Sequence, residues 1–264
     1  MPGTAVVTGA GRGLGAVIVA RLQAAGYQVV ATDVVGTETP LDVTDATACR
    51  DLAARVQPDV WVNNAAVLGP GDAATQPDAV LERVVAVNLL GSVHATRAAV
   101  EVMRRRDAGR GAGHIITIGS LASWVPVPGE AAYAATKAAL LSYTLSLRSE
   151  LAAQGVVGIR FSVVCPDGML TPMIAEELDN PAIALSFSGL SLVAPEQVAD
   201  RVVQLLDRPR LVSSVPHWRG ALVRALGAVP DYALGLSPLF DRMGNANRRK
   251  AALAVAASRR GSGS

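Results

Sequence analysis

Short runs of four to eight apolar residues alternate along the chain with longer segments whose apolar positions recur every three or four residues. The short runs predict strands over residues 5–8, 28–32, 60–62, 114–118 and 158–164, with a weaker one over 210–215. The longer segments predict helices over 14–25, 46–55, 78–105, 130–153 and 195–206. Ile115-Ile116 and Val163-Val164 are continuous rather than alternating, the mark of strands covered on both faces. Strands alternating with helices, without internal repeats, predict an α/β fold: a doubly wound, Rossmann-type parallel sheet with helices on both faces. Residues 33–41 are too few and too rich in Gly, Thr and Pro for a crossover helix, so a tight loop is expected there.

This pattern divides the chain into a catalytic unit over residues 1–216, an extension over 217–257 and a disordered Arg/Gly/Ser tail over 258–264. In the extension, Leu222, Val223 and Leu226 recur at helical spacing with Arg219 and Arg224 off that stripe. Pro230 and Pro238 are expected to break the chain beyond that stripe into short pieces over 232–236 and 239–243. Charge sharpens the division, because residues 208–264 carry ten basic and two acidic side chains although the whole chain has a net charge of only +2. Such a segment suits a lid over a pocket or a contact with a neighbouring subunit; an anionic membrane surface is the less favoured reading. Half the residues are apolar, enough for a large core, yet no run of eighteen escapes charge or proline. With the first strand beginning at once and only Cys49 and Cys165 present, a reduced cytoplasmic protein without disulfide or zinc is expected.

The segment Thr8-Gly9-Ala10-Gly11-Arg12-Gly13-Leu14-Gly15 joins the first strand to the first helix. There, glycines let the backbone approach a pyrophosphate at a helix N-terminus. Asp33 ends the second strand, where a carboxylate accepts hydrogen bonds from the adenosine ribose and repels a 2′-phosphate. NAD is therefore preferred to NADP. Arg12 is the contrary sign: it has a 2′-phosphate, the adenine or solvent as its alternatives.

Tyr133 and Lys137 are four apart in a helical stretch and so share a face. Lys137 is the single lysine before Lys250, and Arg supplies every other cation. A compact ammonium is thus singled out. Carbonyl reduction leaves an alkoxide to be protonated, and a phenol is a poor neutral-pH base for the reverse step. Lowering its pKa by two to three units takes roughly 3–4 kcal/mol, which a nearby ammonium and an oxidised nicotinamide can supply. Ser120, at the end of the strand over 114–118, can hold the substrate oxygen, and Asn88 can anchor a water that relays protons through Lys137.

On these residues the chain resembles the short-chain dehydrogenase/reductase family from residue 4 to about 207. The family's glycine motif appears as Thr8 to Gly15, its acidic residue as Asp33, and its adenine-side Asp as Asp42-Val43. Its Asn-Asn-Ala-Gly appears as Asn63-Asn64-Ala65-Ala66, its helical Asn as Asn88, and its Ser, Tyr and Lys as Ser120, Tyr133 and Lys137. The resemblance implies proton transfer by Tyr133, ribose binding by Lys137, and nicotinamide binding by Thr171 after Pro166. It also implies a homo-oligomer, dimer or tetramer. Ala66 replaces a usual Gly, and Asp167 follows Pro166 where the family has Gly. For Asp167, contact with a substrate hydroxyl and acceptance of turn N–H groups stand as equal alternatives. Trp124, Val125 and Val127 lie where the family places substrate-facing side chains. Met169, Leu170, Met173, Ile174 and Phe187 make an apolar segment suited to close over the site.

The expected activity is interconversion of a secondary alcohol and a ketone on a mainly hydrophobic small molecule, with no nucleic-acid partner. Three rivals remain: an NADPH-dependent 3-oxoacyl thioester reductase, a non-catalytic NAD-binding sensor, and a peripheral membrane protein.

Overall fold

Period-2 alternation decides which helical layer each strand residue enters. Ala5 and Val7 face one layer and Val6 the other; Val60 and Val62 are divided from Trp61 in the same way. In the computed structural model, which describes residues 3–261, these strands belong to a seven-stranded parallel sheet of order β3-β2-β1-β4-β5-β6-β7. The strands are β1 (Thr4–Thr8), β2 (Gln28–Asp33), β3 (Thr39–Pro40), β4 (Val60–Asn63), β5 (Gly113–Ile118), β6 (Ile159–Pro166) and β7 (Val212–Val215). The two-residue β3, pairing Thr39 with Thr32, lies within the expected tight loop.

Helices α1 (Gly13–Ala24) and α7 (Pro195–Asp207) cover one face, burying Ile18, Leu22, Val198, Val202 and Leu205 completely. Each such side chain contributes about 1.5–3 kcal/mol relative to exposure. Helices α2 (Ala46–Val56) and α4 (Ser92–Met103) bring Cys49, Leu52, Ala95, Ala99 and Met103 to the opposite face. Burial pushes the Cys49 and Cys165 thiols up to about 11 and about 12, as expected of packed rather than reactive cysteines.

The single helix expected over 78–105 is α3 (Asp78–Val84), a π-helical turn (Val85–Gly91) and then α4. A π turn re-aims the side chains within it, and the one here carries Asn88 into the interior. The remaining α-helices are α5 (Ala131–Ala153), the short α6 (Pro172–Ala175), α8 (His217–Gly227) and α9 (Pro230–Gly261).

The extension departs from its expected form. Pro230 opens α9, where a missing N–H costs nothing, and Pro238 lies inside the helix instead of breaking it. The carbonyl that Pro238 leaves without a donor is that of Leu234, and the Ser237 hydroxyl donates to it at 2.7 Å. The helix runs through the first residues of the expected tail; residues 262–264 lie outside the described residues. Its inner face fixes the segment after α6: Asn247 Nδ2 donates to the Phe187 carbonyl at 3.0 Å, the Arg248 guanidinium to that of Leu178, and Gly244 sits directly against the Ala184 main chain. Among the described residues no helix is long and apolar enough to cross a membrane.

His114, fully buried in β5, shares a 2.9 Å hydrogen bond with Ser162 Oγ, which donates in turn to the Arg210 carbonyl. Burial holds this imidazole neutral and pushes its pKa down to about 4. Between pH 4 and 6.5 the unfolded chain therefore binds more protons than the folded one, and stability falls as pH drops through that window. Urea titrations at pH 7.5 and 4.5 are expected to differ by roughly 2–3 kcal/mol more in the wild type than in His114→Gln. Equal acid loss in both would remove His114 as the cause.

Candidate active site

The chain completes β1, β2 and β3 on one side of the sheet and then crosses to β4 on the other, which opens a crevice beyond the carboxyl ends of β1 and β4. A knot of hydrogen bonds holds the two ends together. Asn64 Nδ2 donates to the carbonyls of Thr8 (3.0 Å) and Gly9 (2.9 Å), while Thr8 Oγ1 accepts from the N–H groups of Asn64 (3.1 Å) and Ala65 (3.2 Å). Gly9 adopts φ +65°, and a Cβ there would lie 2.6 Å from Ala65 Cα, so both conformation and space require glycine.

A cleft of about 1310 Å³ runs from this crevice across the ends of β5 and β6 to α8 and α9. At one end it is lined by Gly9, Gly11, Arg12, Gly13, Leu14, Gly15, Asp33, Asp42, Val43, Asn64 and Ala65, the residues expected to hold a dinucleotide. Their arrangement fits one. No side chain caps the N-terminus of α1, leaving first-turn N–H groups open to a phosphate. Asp33 is fixed by accepting from Gly11 N–H (2.9 Å) and Val34 N–H (2.7 Å). The Asp42 carboxylate accepts from the Thr44 N–H (2.9 Å) and hydroxyl (2.7 Å), shaping the turn that places Val43 against the groove. Farther along, the Thr171 hydroxyl is buried without a hydrogen-bond partner, as a group reserved for a ligand would be. Pro166 and Ala66 line the cleft as well. Arg12 is largely in solvent, one of its expected surroundings, and its guanidinium also pairs with Glu176, spanning the groove from the glycine loop to the end of α6.

Ser120, Tyr133 and Lys137 meet midway along the cleft. Ser120, two residues beyond β5, accepts from Ala122 N–H at 3.1 Å and hydrogen-bonds Tyr133. Lys137, one turn after Tyr133 on α5, is buried; its Nζ donates to the Ile118 carbonyl at 2.9 Å and lies 5.4 Å from the Tyr133 ring centroid. Burial pushes the ammonium pKa down to about 8. The depression expected for Tyr133 is reversed by the protein's own groups: burial, and then the charge of Glu130, push its pKa above that of an ordinary phenol, outweighing the Ser120 hydrogen bond.

Three residues gain partners that the sequence does not show. Asn88 does not line the cleft, because its Oδ1 accepts from Val67 N–H and its Nδ2 donates to Val67 C=O, both at 2.8 Å. Its side chain holds the cleft wall. Trp124 packs with Leu121, Leu141 and Val223 under α8 and is capped by the Arg224 guanidinium 4.5 Å from its ring centroid, while Val125 and Val127 do line the cleft. Asp167 accepts from the Gly168 N–H of its own turn, one of its two alternatives, and also forms an ion pair with Arg219 of α8 in which both side chains are about nine-tenths buried. Arg219 also donates to Ser188 Oγ at 2.9 Å. Burial raises the Asp167 pKa, and Arg219 opposes the rise.

Met169, Met173 and Ile174 line the cleft; Phe187 instead fills the core beneath with Leu68 and Ile183. Leu222, Leu226 and Phe240 close the far wall from α8 and α9. Glu130 and Ser186 carry no motif that marks them in the sequence. Glu130 does stand three residues before Tyr133 at a helix start, which is a signal open to notice; nothing in the sequence pairs Arg219 with Asp167.

The family model for short chain dehydrogenases matches residues 3–182. The chain is 35% identical over 233 residues to 1-deoxy-11-beta-hydroxypentalenate dehydrogenase of Streptomyces avermitilis, covering 79% of this chain and 83% of that one. It is also 35% identical over 211 residues to 2-(R)-hydroxypropyl-CoM dehydrogenase of Xanthobacter autotrophicus, covering 69% and 81%. A solved short-chain dehydrogenase from Streptomyces avermitilis superposes with a TM-score of 0.72 at 24% identity, over 90% of this chain and 96% of that one. A variant of actinorhodin polyketide ketoreductase solved with NADPH gives 0.71 at 26% identity, over 81% and 95%. The chain therefore belongs to the short-chain dehydrogenase family. It is an oxidoreductase acting on alcohol groups, in a family that uses NAD(P).

Removing one partner of the Asp167–Arg219 pair leaves a buried charge alone. Asp167→Ala is expected to lose roughly 3 kcal/mol in urea unfolding, and the double change Asp167→Met with Arg219→Met to recover most of it. A double variant no better than the single one would show that the pair does not act as a unit.

Proposed function

We propose that this chain interconverts a secondary alcohol and a ketone on a mainly apolar small molecule, using NAD in preference to NADP. The observation that carries the reading is the meeting of Ser120, Tyr133 and buried Lys137 in one cleft with an uncapped glycine-loop helix and a fixed Asp33. Ser120 holds the substrate oxygen and Tyr133 exchanges its proton. Lys137 balances the charge on the phenol and faces the ribose. Bound NAD supplies the hydride acceptor and, being oxidised, a positive ring that helps to lower the phenol pKa.

The glycine loop, Asp42, Val43, Asn64, Ala65, Pro166 and Thr171 hold the cofactor, with Asn88 supporting the wall through Val67. The preference for NAD rests on Asp33, which no basic residue follows before Arg50, and on Arg12 being engaged with Glu176 rather than turned toward a 2′-phosphate. The apolar character of the substrate rests on Val125, Val127, Met169, Met173, Leu222 and Phe240. We read α8 and α9 as a cover over the substrate end, and the working protein as a homo-oligomer.

One experiment tests the assignment: cofactor-coupled turnover of apolar secondary alcohols, ketones and 3-oxoacyl thioesters by wild type, Tyr133→Phe and Asp33→Ala. Turnover with NAD is expected to exceed that with NADP. Tyr133→Phe is expected to lose about a hundredfold or more in kcat while still binding NADH, and Asp33→Ala to narrow the cofactor ratio. Near wild-type turnover in Tyr133→Phe would reject the mechanism. A wild-type preference for NADPH and thioesters would restore the acyl-thioester reductase reading.

A further inference from the structure

Glu130 occupies the N-cap position of α5, where a short polar or acidic side chain ordinarily accepts first-turn N–H groups. Its side chain caps nothing. It turns instead toward the cleft that holds Ser120 and Tyr133, is 2% exposed, and accepts from Ser186 Oγ at 2.7 Å through Oε1. Among the described residues Oε2 has no hydrogen-bond partner and Glu130 forms no ion pair. The other buried carboxylate of the cleft, Asp167, is by contrast paired with Arg219.

A carboxyl group withdrawn from water without a cation is costly unless donors meet it. If Glu130 served only to tie the 3-10 turn Pro181–Phe187 to α5, a neutral side chain would do so at lower cost, and Oε2 would have no use. Glu130 precedes Tyr133 by three residues, lines the same cleft, and lies near enough for its charge to act on the Tyr133 phenol.

Resting on the reading of this cleft as an alcohol dehydrogenase site, we infer that Glu130 and Ser186 form a second polar subsite that receives a hydroxyl of the substrate. The substrate class is then a hydroxylated apolar molecule, a diol or hydroxy ketone, with one oxygen at Ser120 and Tyr133 and another at Glu130. A hydroxyl both donates and accepts. That matches a carboxyl whose pKa burial holds up to about 7, and which Ser186 already meets with a donor. An ammonium would instead require a fixed anion.

The test is binding rather than turnover, so that it is independent of the proton-transfer assignment. Dissociation constants are measured by calorimetry on the NADH complex for 1-indanol, cis- and trans-1,2-indanediol and 2-amino-1-indanol. For the wild type, at least one diol is expected to bind about tenfold or more tighter than 1-indanol. Glu130→Met, close in size and apolar so that the buried position stays filled, is expected to bring that ratio to within about twofold, and Glu130→Gln to retain part of it. The proposal is overturned if neither diol binds, if no diol is preferred by the wild type, if the ratio survives in Glu130→Met, or if the amino alcohol binds most tightly.

Discussion

Among the described residues the buried Lys137 ammonium has no carboxylate paired with it, and the arrangement of the site follows from how that charge is held. Lys137 Nζ has the Ile118 carbonyl at 2.9 Å as its hydrogen-bond acceptor among the described residues. That carbonyl is available because β5 ends at Ile118 and leaves the ladder. In the same place the chain turns through Ser120, and the Ser123 hydroxyl returns to bond the Lys137 carbonyl at 3.1 Å. The strand end, the turn and α5 are thus locked to one another around the cation. Burial that lowers the ammonium to about 8 also raises the phenol of Tyr133. The two shifts oppose proton exchange at neutral pH unless charge beside the phenol reverses the second, which is the role we assign to Lys137 and to the bound cofactor.

The rest of the cleft is built outward from that lock. Upstream, the Thr8 and Asn64 hydrogen bonds keep the ends of β1 and β4 in register, so that the uncapped first turn of α1 faces the crevice. Downstream, the wall is assembled from parts far apart in sequence: the segment after α6 is fastened by Asn247 and Arg248 of α9, and Asp167 is bound to Arg219 of α8. The basic extension turns three of its arginines inward: Arg248 onto the Leu178 carbonyl, Arg219 onto the buried Asp167 carboxylate and Arg224 onto the Ser214 hydroxyl.

This division accounts for what the sequence made legible. The strands, α1, Asp33 and the Tyr133–Lys137 pair depend on local periodicity and fixed spacing, and the structure places them as read. The two-residue β3 carries too little pattern to be seen. Other elements depend on contacts that spacing does not encode. Pro238 reads as a helix breaker until the Ser237 hydroxyl is seen to satisfy the Leu234 carbonyl. Trp124 reads as substrate-facing until α8 is seen to draw it away under Arg224. The π turn that directs the Asn88 amide onto Val67 leaves no mark in the spacing. Asp167 keeps a turn N–H as a local reading foresees, and the cation that pairs with it comes from 52 positions away.

The central claim is that a buried cation at Lys137 sets the working pKa of Tyr133. The most direct measurement is the pH dependence of kcat/KM for alcohol oxidation at saturating NAD, in the wild type and in Lys137→Met. Without the cation the phenol loses the charge that opposes its burial, and the acid limb is predicted to move to higher pH by about one unit or more, with reduced turnover below it. A limb that stays where the wild type has it would contradict the account.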